Sequence, residues 1–321
     1  MKKFCGGVLA LLFICVVPVQ ALATEYLIPV GQVVGLELQD NTVTVAAFDE
    51  HSDCDAKGAG LQVGDKIVDI DGKPVHSAED VRLALHCSKG RVSVGVLRGS
   101  KTERLNLVPA ITRDGPKLGI YLKQGVTGIG TVTYYDPETG KFATLGHGVN
   151  SPDGKQVSMI SGKAYKASVL AVTKGLAGKP GQLQGAVTAK EVIGPLLDNT
   201  AQGVFGKAAV GFPGQVMEVA QSEEVHPGDA VIRSTVEGEK VREYSVEILK
   251  LYPKSRSSGR NMMIRVTDPQ LLRITGGIVQ GMSGSPIIQD GKLVGAVTHV
   301  LVNDPTTGYG IFIENMLDAA A

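Results

Sequence analysis

The sequence contains no tryptophan, few aromatic residues and no excess of charge of either sign. Lysine and arginine total 32, and aspartate and glutamate also total 32, so the formal net charge is zero. A neutral chain lacks the basic surface of a nucleic-acid-binding protein, and nucleic acid is not an expected partner. The sequence has no GxGxxG motif before a helix, no P-loop and no HExxH motif, which argues against nucleotide binding and zinc-dependent proteolysis.

Cysteine is scarce as well. Of the four cysteines, Cys5 and Cys15 lie in an apolar N-terminal segment, which leaves Cys54 and Cys87 for the rest of the chain. In an exported protein such a pair forms a disulfide or remains as free thiols, and the sequence leaves both possibilities open. The pair has neither CxxC spacing nor partner histidines, so we expect no metal ion and no other cofactor.

Only one apolar run is long enough to span a membrane. Two lysines precede it, residues 4–23 are almost purely apolar, and the run ends in Ala21-Leu22-Ala23, a pattern that signal peptidase accepts. Residues 1–23 are therefore a signal peptide or a retained membrane anchor. Both alternatives place the chain from Thr24 onward outside the cytoplasm.

Glycine is the residue type in clear excess. The 41 glycines among 321 residues follow no collagen period and indicate many turns between short strands. At roughly 150 residues per domain, the length fits two domains. We therefore expect a mainly β protein with an N-terminal domain over residues 24–110 and a second domain over residues 111–321.

The N-terminal domain carries the pattern of a peptide-binding module. Residues 59–67 have the sequence Ala-Gly-Leu-x-x-Gly-Asp-x-Ile, and Ser77 is the expected N-cap of a following helix. This pattern resembles a PDZ domain, an α+β fold found in bacterial serine proteases of the HtrA and SpoIVB types. The resemblance implies that an extended peptide pairs with the strand at Val34, Gly35 and Leu36. A PDZ-shaped spacer that binds nothing is the alternative.

The second domain contains a serine in a setting that suits a nucleophile. Ser283 lies between Gly281 and Gly284 in the sequence Gly-Met-Ser-Gly-Ser-Pro. Glycines permit the tight turn that exposes a serine hydroxyl and aims backbone N–H groups at an oxyanion. The motif resembles the Gly-Asp-Ser-Gly-Gly-Pro of chymotrypsin-like proteases, which implies that Ser283 is the nucleophile and that the N–H groups of Gly281 and Ser283 form the oxyanion hole. Ser285 takes the place of a glycine in that motif and is not expected to react.

The residues after this motif resemble the last strands of HtrA-like proteases. By that resemblance Thr298, His299 and Val300 line the substrate cleft and pair with the substrate backbone. The implied architecture is a chymotrypsin-like pair of β-barrels with the cleft between them.

A serine nucleophile needs a base, and His147 is the best candidate. It follows a predicted strand, is flanked by glycines, and precedes Ser283 by enough chain to come from a different barrel. His226 is expected in a surface turn, and His299 in the cleft wall. For the orienting carboxylate the sequence leaves Asp268 open between a catalytic role and a helix N-cap, with Asp153 as the second candidate.

The whole combination resembles the SpoIVB family of sporulation serine peptidases. The matching features are the exported N-terminus, the PDZ domain, the Leu-Gly-His-Gly around His147 and the sequence around Ser283. The resemblance implies that His147, Asp268 and Ser283 form a catalytic triad.

The same resemblance implies a role in signalling between compartments. The enzyme would act in the space between the two membranes of the forespore, cleave itself, and cleave a membrane-bound regulatory protein so that a sigma-factor precursor can be processed. Two alternatives remain, namely a non-catalytic PDZ adaptor and an HtrA-like extracytoplasmic quality-control protease.

Overall fold

The computed structural model describes residues 25–88, 90–151, 154–253 and 259–320. The predicted N-terminal targeting segment and Asp153 lie outside these ranges. Within them, no helix has the length and apolarity needed to cross a membrane. The expectation of a mainly β protein is confirmed.

The first half of the chain forms short strands around one helix. In chain order these are β1 (Tyr26–Pro29), β2 (Val33–Phe48), β3 (Lys66–Ile70), β4 (Lys73–Pro74), α1 (Ala78–Cys87), β5 (Val92–Arg98), β6 (Lys101–Leu107), β7 (Ala110–Thr112), β8 (Gly115–Lys117), β9 (Ile120–Tyr135) and β10 (Lys141–Thr144).

The second half continues with strands and two further helices. These are β11 (Ser161–Thr173), β12 (Gln182–Thr200), β13 (Gly203–Lys207), β14 (Met217–Glu218), β15 (Gly228–Thr235), β16 (Val241–Leu251), β17 (Met262–Val266), α2 (Pro269–Thr275), β18 (Pro286–Gln289), β19 (Lys292–Leu301), β20 (Asp304–Phe312) and α3 (Ile313–Ala320).

Two closed rings of antiparallel strands form the peptidase part. In the first, β9 pairs with β10, and the pairing continues through β13, β12 and β11 to β2, which pairs back to β9. The second is the closed barrel β15-β16-β17-β20-β19-β18. Alternating apolar residues fill each interior, such as Val34 and Leu36 in the first ring and Ile232 and Ile264 in the second. The predicted two-barrel architecture is therefore present.

The PDZ module packs α1 against β3, β5, β6 and the adjoining parts of β2 and β9. The expected N-cap is confirmed, because the Ser77 side chain accepts a hydrogen bond from the N–H of Asp80. The aspartate of the Gly-Asp pair in the PDZ pattern is Asp65, and it is almost fully buried. Its carboxylate accepts two hydrogen bonds of 2.7 Å from Arg98. Burial alone would raise the pKa of Asp65, but the hydrogen bonds from Arg98 and from the N–H of Gln62, together with the charge of Arg98, lower it.

The two domains share the long strands β2 and β9, which lie on either side of the predicted boundary at residue 110. The first half of β2 pairs with β11 in the barrel, and its second half pairs with β3 in the PDZ module. The N-terminal half of β9 also belongs to the PDZ sheet, and its C-terminal half belongs to the barrel. A strand of 16 residues at about 3.3 Å per residue spans roughly 50 Å, enough to cross both domains.

The two cysteines outside the N-terminal segment are free thiols. Cys54 is buried in the PDZ core, and Cys87 is exposed at the end of α1. Of the two possibilities that the sequence leaves open, the structure shows the unpaired one.

Candidate active site

The turn that carries Ser283 depends on its two glycines. Gly281 has a φ of +98° and Gly284 a φ of +94°, values that side-chain-bearing residues rarely adopt. A Cβ atom at Gly284 would also overlap the backbone oxygen of Thr131. Met282 is fully buried beneath the turn, while Ser283 is only half-buried. The turn therefore presents the serine at the surface of a cavity.

The turn leaves two backbone donors free. The N–H of Met282 donates to Val279 O, that of Gly284 to Val297 O and that of Ser285 to Met282 O. Within the described residues, the N–H groups of Gly281 and Ser283 donate to no protein acceptor. These are the two donors that the sequence assigns to an oxyanion hole, and both are available for a ligand oxygen.

The two serines of the motif have different surroundings. The Ser283 hydroxyl donates to the backbone oxygen of Thr298 at 2.9 Å. The Ser285 hydroxyl donates to the Ser234 hydroxyl at 3.0 Å and is fully buried. Only Ser283 is accessible to a substrate.

The loop that carries His147 begins with an unusual backbone. Leu145 and Gly146 both have left-handed conformations, with φ of +72° and +69°. For leucine this costs roughly 1–2 kcal/mol and persists only where packing enforces it. The Leu145 side chain is buried against Gly130, where a Cβ atom would overlap it. The strained turn directs the chain away from β10 and places His147 in the cavity.

His147 has the protonation state that a general base requires. Its Nδ1–H donates to the backbone oxygen of Gly148 at 2.9 Å, which leaves the Nε2 lone pair free. Burial lowers the pKa of His147, although the bond to Gly148 opposes this. The imidazole is therefore neutral at pH 7.

Asn199 stabilises the loop that carries His147 through its side-chain hydrogen bonds. Its side-chain amide donates to Val149 O and Val157 O, and its oxygen accepts from the N–H of Val149. No local sequence pattern marks Asn199, because its role depends on a contact with a loop that lies 50 residues earlier.

A cavity of about 620 Å³ lies between the two barrels, and His147 and Ser283 both line it. Thr298 and His299 also line it, at the positions expected for cleft residues. The remaining walls are mainly apolar, with no aspartate or glutamate among the described lining residues. They are Leu36, Leu38, Val126, Gly128, Ile129, Leu145, Gly148, Val149, Asn150, Ile278, Val279, Gln280, Gly281 and Val300.

Comparison with known families agrees with this geometry. The family model named SpoIVB peptidase S55 matches residues 114–317, and the PDZ domain model matches residues 33–108. The chain belongs to the SpoIVB peptidase S55 family. Membership of this S55 family indicates serine peptidase activity.

Solved structures include proteins similar to the peptidase domain and to the PDZ module of this chain. The inactive form of the protease Rv3671c, from M. tuberculosis, is 15% identical over 60% of this chain and 82% of that chain, with a TM-score of 0.35. The PDZ domain of the SdrC-like protein from Listeria monocytogenes is 26% identical over 26% of this chain and 87% of that chain, with a TM-score of 0.22. Among curated proteins, none matches this S55 chain.

The structure does not bring Asp268 to His147. Asp268 is the N-cap of α2, where its carboxylate accepts a hydrogen bond of 2.8 Å from the N–H of Leu271. Pro269 follows at the first helical position, which fixes the start of the helix. Asp268 is also absent from the cavity lining. The triad assigned by resemblance is therefore incomplete in this structure, and the capping role is the one observed.

The peptide-binding role predicted for the strand at Val34, Gly35 and Leu36 is wrong. Val34, Gly35 and Leu36 lie in the interior of the barrel sheet, paired to β9 on one side and β11 on the other. A strand with both edges occupied cannot accept a further strand. Gly35 is needed instead for packing, because a Cβ atom there would overlap the Val187 side chain.

A groove of about 510 Å³ lies elsewhere in the PDZ module, between α1 and the start of β9. Val81, Arg82 and Leu85 line it from the helix, and residues 118–122 line it from the strand side. Among the described strands, β9 pairs at Ile120–Leu122 only with β2, so its other edge is open beside the helix. The sequence pattern does not reveal this site, because residues 118–122 follow the stretch that has the PDZ pattern.

Proposed function

We propose that this chain is a serine endopeptidase in which Ser283 is the nucleophile and His147 the general base. His147 Nε2 takes the proton of the Ser283 hydroxyl as Oγ attacks the peptide carbonyl, and later returns it to the leaving amine. The free N–H groups of Gly281 and Ser283 bind the oxyanion. The observation that carries the proposal is this pair of free donors in the same cavity as His147, whose Nδ1–H is held by the backbone oxygen of Gly148.

The cavity supports an extended substrate with apolar side chains. Thr298 O, which now accepts the Ser283 hydroxyl, is the acceptor available to a substrate N–H beside the scissile bond. When a substrate occupies it, the Ser283 hydroxyl is released to bond His147. Because the described walls hold Ile278, Val279 and Val300 and no acidic residue, we expect a preference for an apolar residue before the scissile bond.

The proposed biological role follows from family membership and the N-terminal sequence. The enzyme is exported or membrane-anchored and acts in the space between the two membranes of the forespore. There it cleaves itself and a membrane-bound regulatory protein, which starts the processing of a sigma-factor precursor. The apolar segment at residues 4–23 and the S55 match support this role.

The two serines of the catalytic turn provide a matched test of the enzymatic proposal. Ser283→Ala should lower hydrolysis of labelled casein, and self-cleavage, by roughly 10⁴-fold or more. Ser285→Ala should keep near wild-type activity, because it removes only the hydrogen bond to Ser234. Thermal unfolding checks that both variants are folded. Activity that survives in Ser283→Ala and is lost in Ser285→Ala would show that Ser285, and not Ser283, is the nucleophile.

We also propose that the groove between α1 and β9 binds extended peptides by adding a strand to the open edge of β9. The inactive Ser283→Ala chain can be titrated with peptides that tile this sequence, so that binding is measured without cleavage. Methylation of alternate backbone nitrogens should abolish binding in one register and spare it in the other, because only alternate N–H groups face the strand. Equal binding of both methylated forms would exclude strand addition as the mode of binding, and no binding of any peptide at millimolar concentration would favour a spacer that binds nothing.

A further inference from the structure

The strand β9 has one paired edge and one edge that is open over most of its length. Along the paired edge, residues 120–131 face β2. Along the other edge, the described strands β10 and β1 pair with β9 only from Val132 onward. The N–H of Thr131 donates to Ser283 O, away from β2. The stretch of β9 before Thr131 therefore offers backbone groups to an added strand.

This open edge reaches a cavity at each of its ends. Residues 118–122 line the groove beside α1, and Val126, Gly128 and Ile129 line the catalytic cavity. Backbone N–H groups alternate in direction along an antiparallel strand, so that of Ile129 points to the same side as that of Thr131, which bonds the serine turn. A Cβ atom at Gly128 would meet no atom within 4 Å, which shows the space around the strand there.

Between the two cavities β9 continues as one strand. The pairing with β2 is irregular here, because Val126 lies opposite Leu38 and Gln124 opposite Val43. The extra residues of this bulge thus belong to β2 and not to β9. Gly125 has a φ of +76° at the same point, which adapts β9 to the bulge of its neighbour. The open edge therefore runs from the groove to the serine turn.

The catalytic geometry sets the direction of a substrate on this edge. In the proposed mechanism, the residue beside the scissile bond on its N-terminal side bonds Thr298 O, which lies in the second barrel. The residues after the scissile bond leave on the side of the first barrel, where the open edge of β9 extends from Thr131 toward the start of the strand. A substrate that follows this edge runs antiparallel to β9 and enters the groove beside α1.

We propose that one extended substrate chain occupies both cavities at once, paired along the open edge of β9. The residues just after the scissile bond pair with Ile129, and a later segment pairs with Leu122 and Ile120 in the groove. Ile129 lies seven residues from Leu122 and nine from Ile120, so the docked segment begins roughly seven to eleven residues after the scissile bond. The PDZ module thus selects the bond by its distance from the docked segment. This inference rests on the proposed function, because it joins the peptidase site and the groove assigned there.

The test attaches a substrate inside the groove, so that no binding sequence needs to be known. Arg82 lines the groove, is exposed and donates to Glu79. Arg82→Cys introduces a thiol there, in the full chain that also carries Cys87→Ser, while Cys54 is buried. A peptide of about 20 residues, with leucine at every second position, is linked to this thiol through a cysteine at its C-terminal end. Mass spectrometry gives the position of each cut.

We expect cuts clustered roughly seven to eleven residues before the attached cysteine, at least about tenfold faster than in the same peptide added free at equal concentration. The matched control is the same peptide linked through a cysteine at its N-terminal end, which must enter the groove in the opposite direction. We expect it to be cut at least about tenfold more slowly and at no preferred position. The chain with Cys87→Ser alone shows any attachment at the N-terminal cysteines.

A proline spacer tests the strand pairing itself. Prolines between the attached cysteine and the cut keep an extended chain of about 3.1 Å per residue and remove the backbone N–H donors. We expect them to lower the cutting rate about tenfold, because the spacer still reaches the cavity and no longer pairs with β9. If Arg82→Cys lowers cleavage of labelled casein, Lys117→Cys, on the other side of the same groove, replaces it with the same expectations.

Three results would overturn the inference. Equal cutting from both ends of attachment, or equal cutting with the proline spacer, would show that the groove merely tethers the peptide. Cuts spread evenly along the peptide would show that no distance is selected. An attached peptide that stays intact on a chain that cleaves casein would show that the edge does not connect the two sites. Failure of the wild-type chain to label at Ser283 is a separate result, because it overturns the proposed function as well.

Discussion

At the scale of single residues, Thr131 connects the turn that carries Ser283 with the loop that carries His147. Its N–H donates to Ser283 O and its hydroxyl donates to Gly281 O, each at 2.9 Å. Its own carbonyl accepts from the Thr144 hydroxyl at 2.6 Å, just before the histidine loop. One buried residue of β9 thus holds the serine turn and the end of β10 in register. The hydroxyl bond to Gly281 fixes the peptide unit that lies between the two oxyanion donors.

Thr131→Val should therefore lower turnover of labelled casein about tenfold or more while leaving the KM nearly unchanged, because the turn loses a buried hydrogen bond of roughly 1–2 kcal/mol. Thr131→Ser, which keeps the hydroxyl, should restore most of the turnover. Thr133 is the matched control, since it is equally buried on the same strand and its hydroxyl has no partner among the described residues. Thr133→Val should be neutral. Equal effects at both positions would show only a general cost of altering β9.

Ser283 and His147 can be singled out from the sequence as candidate site residues because the features that mark them are local. Ser283 is flanked by the glycines that its turn requires, and His147 by the glycines of its loop. Thr131 and Asn199 cannot be found in the same way. Each acts through partners far away in the chain, and a threonine in a strand or an asparagine before a turn has no distinctive local pattern.

At the scale of elements, α2 determines the role of Asp268. The helix begins at this residue and ends at Gly276, whose φ is +74°, and the chain then runs directly to the serine turn. The sequence Asp-Pro before an apolar run already predicts an N-cap, and the family resemblance favours catalysis instead. The observed hydrogen bond to the N–H of Leu271 supports the local prediction.

Asp268→Asn separates the two roles, because asparagine caps a helix about as well as aspartate does. We expect Asp268→Asn to keep at least half of the wild-type casein hydrolysis. Asp268→Ala should lose about 1 kcal/mol of unfolding free energy. Urea denaturation measures the stability of both variants. A loss of roughly 10³–10⁴ in turnover for a stable Asp268→Asn variant would return the carboxylate to the catalytic site.

The long strands explain why the sequence places the peptide site on the wrong strand. Alternation of apolar residues along β2 correctly predicts a strand, but it does not say which strands pair with it. The first half of β2 has partners on both edges, while β9 has an open edge beside α1. Strand partners far apart in the sequence are set by the closure of the barrel, which no local pattern encodes.

At the scale of the whole molecule, the PDZ module and the first barrel are built around the same two strands. β9 begins at the groove beside α1 and continues to Thr131 at the catalytic turn. The histidine comes from the first barrel and the serine from the second, so the cavity exists only when both barrels are docked. The sequence predicts both barrels and the PDZ module, and it does not predict that they share a sheet.

The central claim is that Ser283, activated by His147, is the reactive nucleophile of this chain. Its most direct test is labelling with a fluorophosphonate probe, followed by mass spectrometry of the labelled peptide. We expect one label per chain, on Ser283, which is lost in Ser283→Ala and forms roughly 10³-fold or more slowly in His147→Ala. Labelling at another residue, or at Ser283 with the same rate after removal of the histidine, would contradict it.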